Sequence, residues 1–207
     1  MTLQNGLGNL EVLSRRFGRR IVGGSTTEAS LRIGPGAIDH TGRGLTILGE
    51  LDGAQSKRVS VLIRMFKRAG FRALPSRHIQ SVVWSKAVLN SAINPVSALT
   101  RLRNGQLTGI PGAKQLMLEV LAEGARVARA EGVPLQVASL SRLLGNVLRS
   151  SAKNRSSMLQ DVLQGRKTEV KELNGIIASL GRKRRIATPL NEALTSLVTG
   201  LENGSMF

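Results

Sequence analysis

The stretch Trp84-Ser85-Lys86-Ala87-Val88-Leu89-Asn90-Ser91-Ala92-Ile93-Asn94-Pro95 decides how the rest of this 207-residue chain is read. In a helix, Lys86, Asn90 and Asn94 fall four residues apart and form one polar line. The surroundings of that line are apolar: Val82, Val83, Ala87, Val88, Leu89, Ala92 and Ile93. A helix that is apolar nearly all round is a buried one, so it carries one ammonium and two carboxamides toward an interior or a cleft. An ammonium taken out of water without partners is costly, and its pKa falls. Spacing alone leaves two readings. In one, the lysine snorkels to the surface and the asparagines satisfy a bend at Pro95. In the other, the three groups face a small oxygen-rich substrate, which the lysine protonates.

Composition narrows the class. Hydrophobic residues make up 41% and charged residues 21%, which is the balance of a globular protein with a proper core. The absence of cysteine excludes disulfides and thiolate metal sites, and His40 and His78 sit in unrelated contexts, so no metal site is expected. No apolar run reaches about 18 residues and no signal peptide opens the chain, which predicts a soluble, cytoplasmic protein without a membrane partner. The net charge is +17 and uneven: residues 1–52 hold six basic and five acidic residues, residues 53–207 hold 24 and eight. Such an excess points toward nucleic acid or other acidic ligands. Against nucleic acid stand an aromatic content of 2% and the lack of tyrosine, which remove the stacking platforms of single-strand binders. The one dense basic run, Arg182-Lys183-Arg184-Arg185, reads as a helix end where cations complement the dipole.

Working outward from the central stretch, residues 53–207 are written in helices. Ala54 to Ala69 places Val59, Leu62, Ile63 and Phe66 on one face, and Gly70 to Pro75 is a short extended link. Ser76 to Asn94 is the central helix, bent at Ser91 to Pro95. Thr100 to Gly112 is a loop. Further helices are predicted over 113–131, 135–150, 154–163, 169–184 and 189–201. Residues 1–52 differ. Thr2-Leu3 reads as the stub of a strand, Asn9 to Phe17 as a short helix, Arg20 to Ile33 as one strand, and Ala37 to Leu48 as a second with a bend at Gly42-Arg43-Gly44. Gly6-Leu7-Gly8-Asn9-Leu10-Glu11 imitates a dinucleotide fingerprint but has Glu11 where its third glycine belongs, and no full strand precedes it. The fold class is therefore α+β, a mostly helical domain at 53–207 preceded by a small β-containing part at 1–52.

The central stretch with Val96-Ser97-Ala98-Leu99 resembles the signature of the ketopantoate reductase (2-dehydropantoate 2-reductase) family. Further blocks agree in order: Leu3-Gln4-Asn5-Gly6-Leu7-Gly8, Ser156-Ser157-Met158-Leu159-Gln160-Asp161, Thr168-Glu169-Val170 with Asn174-Gly175, and Thr188-Pro189-Leu190-Asn191-Glu192. The resemblance implies a helical substrate domain like the carboxy-terminal domain of 6-phosphogluconate dehydrogenase. It also implies that residues 1–52 are the remnant of an NADP-binding Rossmann domain, comprising its final helix and strands. The chain would then begin about halfway through the family's sheet.

The resemblance assigns roles by motif position. Lys86 matches the lysine that protonates the substrate oxygen while NADPH delivers hydride. Asn90, Asn94 and Asn104 match substrate-binding amides, and Asn154 and Ser157 fall in the segment that contacts substrate. Asn104 also reads as the first residue of an Asn-Gly turn, and Ser157 as a helix cap three residues before Gln160. Glu169 matches the glutamate near the lysine that contacts the coenzyme ribose, although an acid in a helix's first turn explains it equally well. Asn5 matches the asparagine touching nicotinamide and substrate, and Ser30 a backbone contact to the coenzyme. Where the family often carries an acid two residues after the glutamate, Lys171 stands here.

The function implied is NADPH-dependent reduction of 2-dehydropantoate to pantoate in coenzyme A biosynthesis, with a 2-keto acid as small-molecule partner and a homodimer as a possible assembly. The alternatives are a sister 2-keto acid reductase of the same architecture, and a basic helical module that binds nucleic acid or a protein partner. Without a glycine-rich pyrophosphate cradle the chain alone should hold NADPH weakly and be inactive by itself. Its sheet should expose strand edges that favour self-association.

Overall fold

The computed structural model describes residues 1–204 and divides into two compact units, one ending at Val83 and the other starting at Trp84. The architecture is α+β, as the sequence predicts.

In the first unit, α1 (Asn9–Phe17) leads into β1 (Val22–Thr26), β2 (Ala29–Gly34), β3 (Ala37–Gly42), β4 (Thr46–Glu50), α2 (Lys57–Arg68) and β5 (Ala73–Pro75). The sheet order is β1-β4-β5, with β1 antiparallel and β5 parallel to β4, and Thr2 adds a single parallel bridge to Gly23. A separate hairpin joins β2 to β3. The sequence predicts two long strands here, and the chain makes four. Each is broken where a polar turn is tied across: Thr27 N–H donates to the Leu45 carbonyl at 3.1 Å, and Leu45 N–H to Thr27 Oγ1 at 2.8 Å. Gly44 is required at this crossing, because a Cβ there would sit 2.2 Å from the Thr27 carbonyl carbon.

The first unit extends well past the change of composition at residue 53. Val59 and Ile63 of α2 share one core with Val22, Leu48 and Ala73, with Leu62 and Phe66 packed at its edge. This is the apolar face that the spacing of α2 predicts. The helix starts at Ser56, whose Oγ accepts the Val59 N–H at 3.2 Å. Ser56 also donates to Glu50, which binds Arg58 as well; the guanidinium is the main cause holding the Glu50 carboxyl below its usual range.

The second unit holds α3 (Ile79–Thr100) from Trp84 onward, α4 (Pro111–Ala130), α5 (Val137–Ser150), α6 (Ser157–Leu163), α7 (Ile176–Arg184) and α8 (Pro189–Gly204). Short 3₁₀ turns at Asn104–Gly109 and a π-helical turn at Lys171–Gly175 connect them, replacing the predicted loop and the start of the predicted helix at 169. Its interior is apolar, with Val88, Leu107, Met117, Val120, Leu121, Leu159, Leu173 and Ile177 fully enclosed. Gly124 of α4 lies against Val88 of α3, where a Cβ would come within 2.9 Å of both Val88 methyl carbons. That glycine sets the closest approach of the two helices.

The largest departure from expectation is α3. It does not end at Pro95 but continues helically to Thr100. Proline lacks the N–H that would bond the carbonyl four residues earlier, here that of Ser91. The deficit is met from another element, since Asn174 Nδ2 donates to the Ser91 carbonyl at 2.8 Å. Ser97 and Thr100 tie the last turn by donating to the Leu102 and Val96 carbonyls at 2.7 and 2.6 Å.

Candidate active site

Because α3 is continuous, Lys86, Asn90 and Asn94 do line one face on successive turns. Lys86 and Asn90 are half-buried, and Asn94 is 6% exposed. Burial pushes the Lys86 ammonium below its ordinary value of 10.5, and the Glu169 carboxylate opposes that shift. The lysine is therefore largely withdrawn from water, with the Glu169 carboxylate near enough to act on its charge.

Glu169 owes its place to its neighbours. Thr168, immediately before it, donates its backbone N–H and its hydroxyl to Glu202 Oε1 at 2.8 and 2.5 Å, and its Oγ1 accepts the Val170 N–H at 3.2 Å. Val170 and Leu173 are fully buried, so the segment is held on both sides of the half-buried glutamate. Glu169 stands at the start of this helical segment: Val170 is helical, the Leu173 N–H donates to the Glu169 carbonyl at 3.1 Å, and a π turn at Lys171–Gly175 follows before α7.

Ser157 is relieved of the capping duty that its spacing suggests. Ser156 is the cap of α6: its Oγ accepts the Leu159 N–H at 3.1 Å. The Ser157 hydroxyl lies 3.5 Å from Asn94 Nδ2, at the outer limit of a hydrogen bond, so both groups keep capacity for a ligand. Asn104 is 7% exposed; it donates its backbone N–H to the Asn154 carbonyl at 3.0 Å and its Nδ2 to Ser151 Oγ at 2.8 Å. Its Oδ1 is buried and accepts no hydrogen bond among the described residues. Asn154 is exposed and serves this cluster through its backbone. Thus the second unit brings Lys86 and Glu169 together, Asn94 and Ser157 together, and Asn104 and Asn154 together.

Asn5 and Ser30 lie in the first unit. Asn5 is half-buried and its carbonyl accepts Asn9 Nδ2 at 2.9 Å. Ser30 is exposed on β2, at a shift in the register of the hairpin. Gly8 caps α1 in the left-handed region and Glu11 occupies the first turn, where a pyrophosphate would meet its negative charge. This turn does not fit a dinucleotide phosphate. Asn5 carries an amide that can donate, and Glu169 in the other unit a carboxylate that can accept hydroxyl hydrogen bonds.

Volume does not track chemistry in this protein. A cleft of about 710 Å³ in the first unit is lined by residues such as Ser56, Lys57, Arg64 and Arg77, none of them among the candidate residues. The basic run is accounted for as well. Arg182, Lys183 and Arg184 form the last turn of α7, and Arg182 and Arg184 pair with Glu192 and Glu131 at 2.8 and 2.7 Å. No helix among the described residues is long and apolar enough to cross a membrane, and no group of three or more potential ligands that could hold a metal ion is found among them.

Sequence reasoning missed the supports. Glu123, Glu202 and Ser151 carry no motif that singles them out, and Asn191, though inside a block that resembles the family, has no role assigned by its pattern. The one available signal was Pro95, which in a continued helix demands a foreign donor for the Ser91 carbonyl.

Residues 78–202 match the family model described as "Ketopantoate reductase PanE/ApbA C terminal", and residues 1–53 match "Ketopantoate reductase PanE/ApbA". The 2-dehydropantoate 2-reductase of Archaeoglobus fulgidus is 37% identical over 203 residues, covering 98% of this chain and 68% of the relative. That of Vibrio cholerae is 30% identical, covering 97% and 67%. Among solved structures, a PanE/ApbA family ketopantoate reductase from Ralstonia eutropha superposes with a TM-score of 0.88 at 30% identity, covering all of this chain and 67% of its own. D-mandelate dehydrogenase with NADH and anilino(oxo)acetate gives 0.92 at 25% identity, covering 98% and 67%. With its motifs, its helical unit and these relatives in agreement, the chain belongs to the ketopantoate reductase family.

Proposed function

We propose that this chain supplies the substrate-holding and proton-donating part of an NADPH-dependent reduction of 2-dehydropantoate to pantoate. The observation that carries the reading is the desolvated Lys86 ammonium opposite Glu169, on the same helix face as the Asn94–Ser157 pair. In this reading residues 1–52 belong to the coenzyme side and 53–207 to the substrate side. NADPH supplies a hydride to the ketone carbon. As the carbonyl π pair withdraws onto oxygen, Lys86 donates a hydrogen bond and then its proton to that oxygen, leaving a neutral amine that solvent reprotonates. Burial favours the transfer, since it lowers the cost of losing the proton. Glu169 acts in the opposite sense and keeps the amine protonated at the start of the cycle.

Asn90, Asn94, Asn104 and Ser157 hold carboxylate and hydroxyl oxygens, because amides and hydroxyls donate without adding charge to a site that already has its cation. Glu169 would accept hydrogen bonds from the coenzyme ribose hydroxyls. Asn154 shapes the Asn104 turn through its carbonyl.

A second reading keeps this chemistry and changes the carbon skeleton. The likeness to D-mandelate dehydrogenase favours it, because lysine and amides do not by themselves distinguish one 2-keto acid from another. One experiment separates the two. The chain is joined to the segment of the Archaeoglobus fulgidus relative that lies outside the matched region. NADPH oxidation is then followed with ketopantoate and with phenylglyoxylate. A kcat/KM at least about tenfold higher for ketopantoate, a difference of about 1.4 kcal/mol, supports the first reading, and the reverse preference supports the second.

A further inference from the structure

The second unit contains a chain of buried polar groups that touches no candidate substrate residue yet joins the two elements that carry Lys86 and Glu169. It starts at Glu123 of α4, 3% exposed, whose carboxylate accepts the Leu190 and Asn191 backbone N–H groups, each at 3.0 Å, at the start of α8. The same carboxylate accepts Asn191 Nδ2 at 2.7 Å. Asn191 Oδ1 is thereby turned to accept Asn174 Nδ2 at 3.1 Å, and Asn174 Nδ2 also donates to the Ser91 carbonyl at 2.8 Å. Asn174, Asn191 and Ser91 are all 0% exposed.

The direction of every bond follows from Glu123. A carboxylate accepting three N–H bonds fixes the Asn191 amide, which fixes the Asn174 amide, because both partners of Asn174 Nδ2 are acceptors. The chain ends on the one carbonyl of α3 that Pro95 strips of its helical donor. Asn174 lies in the π turn that follows Glu169, and the Leu173 N–H bonds the Glu169 carbonyl at 3.1 Å. Ser91 lies five residues beyond Lys86 on α3. The bond from Asn174 to Ser91 therefore crosses directly between the element that bears the lysine and the element that bears the glutamate.

We propose that Asn174 is a positioning residue: by its bond to the Ser91 carbonyl it sets the distance between Glu169 and the helix carrying Lys86. Asn174 touches neither substrate nor coenzyme in this account. Pro95 is its counterpart, because it leaves that carbonyl open to a donor from outside the helix. The proposal rests on the reading of Lys86 as the proton donor only for its effect on turnover; its effect on the lysine's titration does not need that reading.

The test follows the Lys86 side chain by NMR as pH is raised, in the chain as it stands. Glu169→Gln first defines how far the Lys86 pKa falls when the carboxylate is removed. Asn174→Leu should reproduce half or more of that fall. Combined with Glu169→Gln, it should add nothing further, since its action runs through the glutamate. Should Asn174→Leu fold poorly, Pro95→Ala is added, returning a helical N–H to the Ser91 carbonyl without returning the link between segments. The double variant should regain thermal stability and still show the lowered Lys86 pKa. A Lys86 pKa that is unchanged in the Asn174 variants, that is restored by Pro95→Ala, or that falls equally in the Glu169→Gln background, overturns the proposal. If the titrations behave as stated but ketopantoate is not reduced, the proposed function fails and the positioning role stands.

Discussion

Two sets of polar groups are buried in the same helical unit, and they differ in how completely they are paired. Along Glu123, Asn191, Asn174 and the Ser91 carbonyl, every amide and backbone donor named meets an acceptor at 2.7–3.1 Å, although the buried Asn174 Oδ1 accepts no hydrogen bond among the described residues. Along the other face, Asn94 reaches Ser157 only at 3.5 Å, and burial lowers the Lys86 pKa while the Glu169 carboxylate opposes that shift. A satisfied buried network rigidifies a core, whereas incompletely satisfied buried groups persist where a ligand completes them. We read the first set as scaffold and the second as the proposed site. The contrast is sharper because both sets meet on α3, three residues apart at Ser91 and Asn94.

The comparison breaks first at Glu123. Glu123→Ala removes the acceptor of two backbone N–H groups and one amide, all enclosed. It should cost about 3 kcal/mol or more of stability, read from urea unfolding. A loss under about 1 kcal/mol would mean that these groups find other partners, and that the network is not a scaffold. Asn94→Ala should behave in the opposite way. With one long bond to lose it should leave stability nearly unchanged, but raise KM for the keto acid about tenfold with a smaller change in kcat. Equal losses of stability in the two variants would erase the distinction. A finer effect concerns pH. Activity in the proposed mechanism needs protonated Lys86, and Glu169 holds that pKa up. Glu169→Gln should therefore move the alkaline limb of kcat/KM to lower pH. A limb that stays in place would separate Glu169 from the lysine.

Much of this was legible in the sequence, and what was not has a common cause. The line of Lys86, Asn90 and Asn94 follows from helical period alone, and α1 and the apolar face of α2 were equally plain. The strands were harder, because Arg20–Ile33 and Ala37–Leu48 each read as one extended run. Only the cross-connection of Thr27 with Leu45 shows where they break. The continuation of α3 past Pro95 to Thr100 was not legible for a similar reason. A proline ends a helix when its orphaned carbonyl has no other donor, and here the donor comes from Asn174, 83 residues away. Ser156 and Ser157 are both reasonable caps by pattern, and only geometry gives the cap to the first and frees the second. Local pattern places the residues that face outward from a helix. The partners that hold them belong to other elements.

The central claim is that Lys86 is kept buried and charged at a cost in stability because it gives up a proton in the reaction. The measurement is Lys86→Met, which keeps the aliphatic stem, with unfolding and turnover followed on the same fused preparation. In the folded chain the lysine's pKa lies below 10.5, so the unfolded chain binds more protons between the two values. The cost of the charge is complete below the folded pKa and vanishes as pH rises toward 10.5. Lys86→Met should accordingly raise stability at neutral pH, with the gain shrinking at alkaline pH, while turnover of ketopantoate falls by about 10²–10⁴. Turnover within a few-fold of the parent, whatever the stability, would contradict the claim.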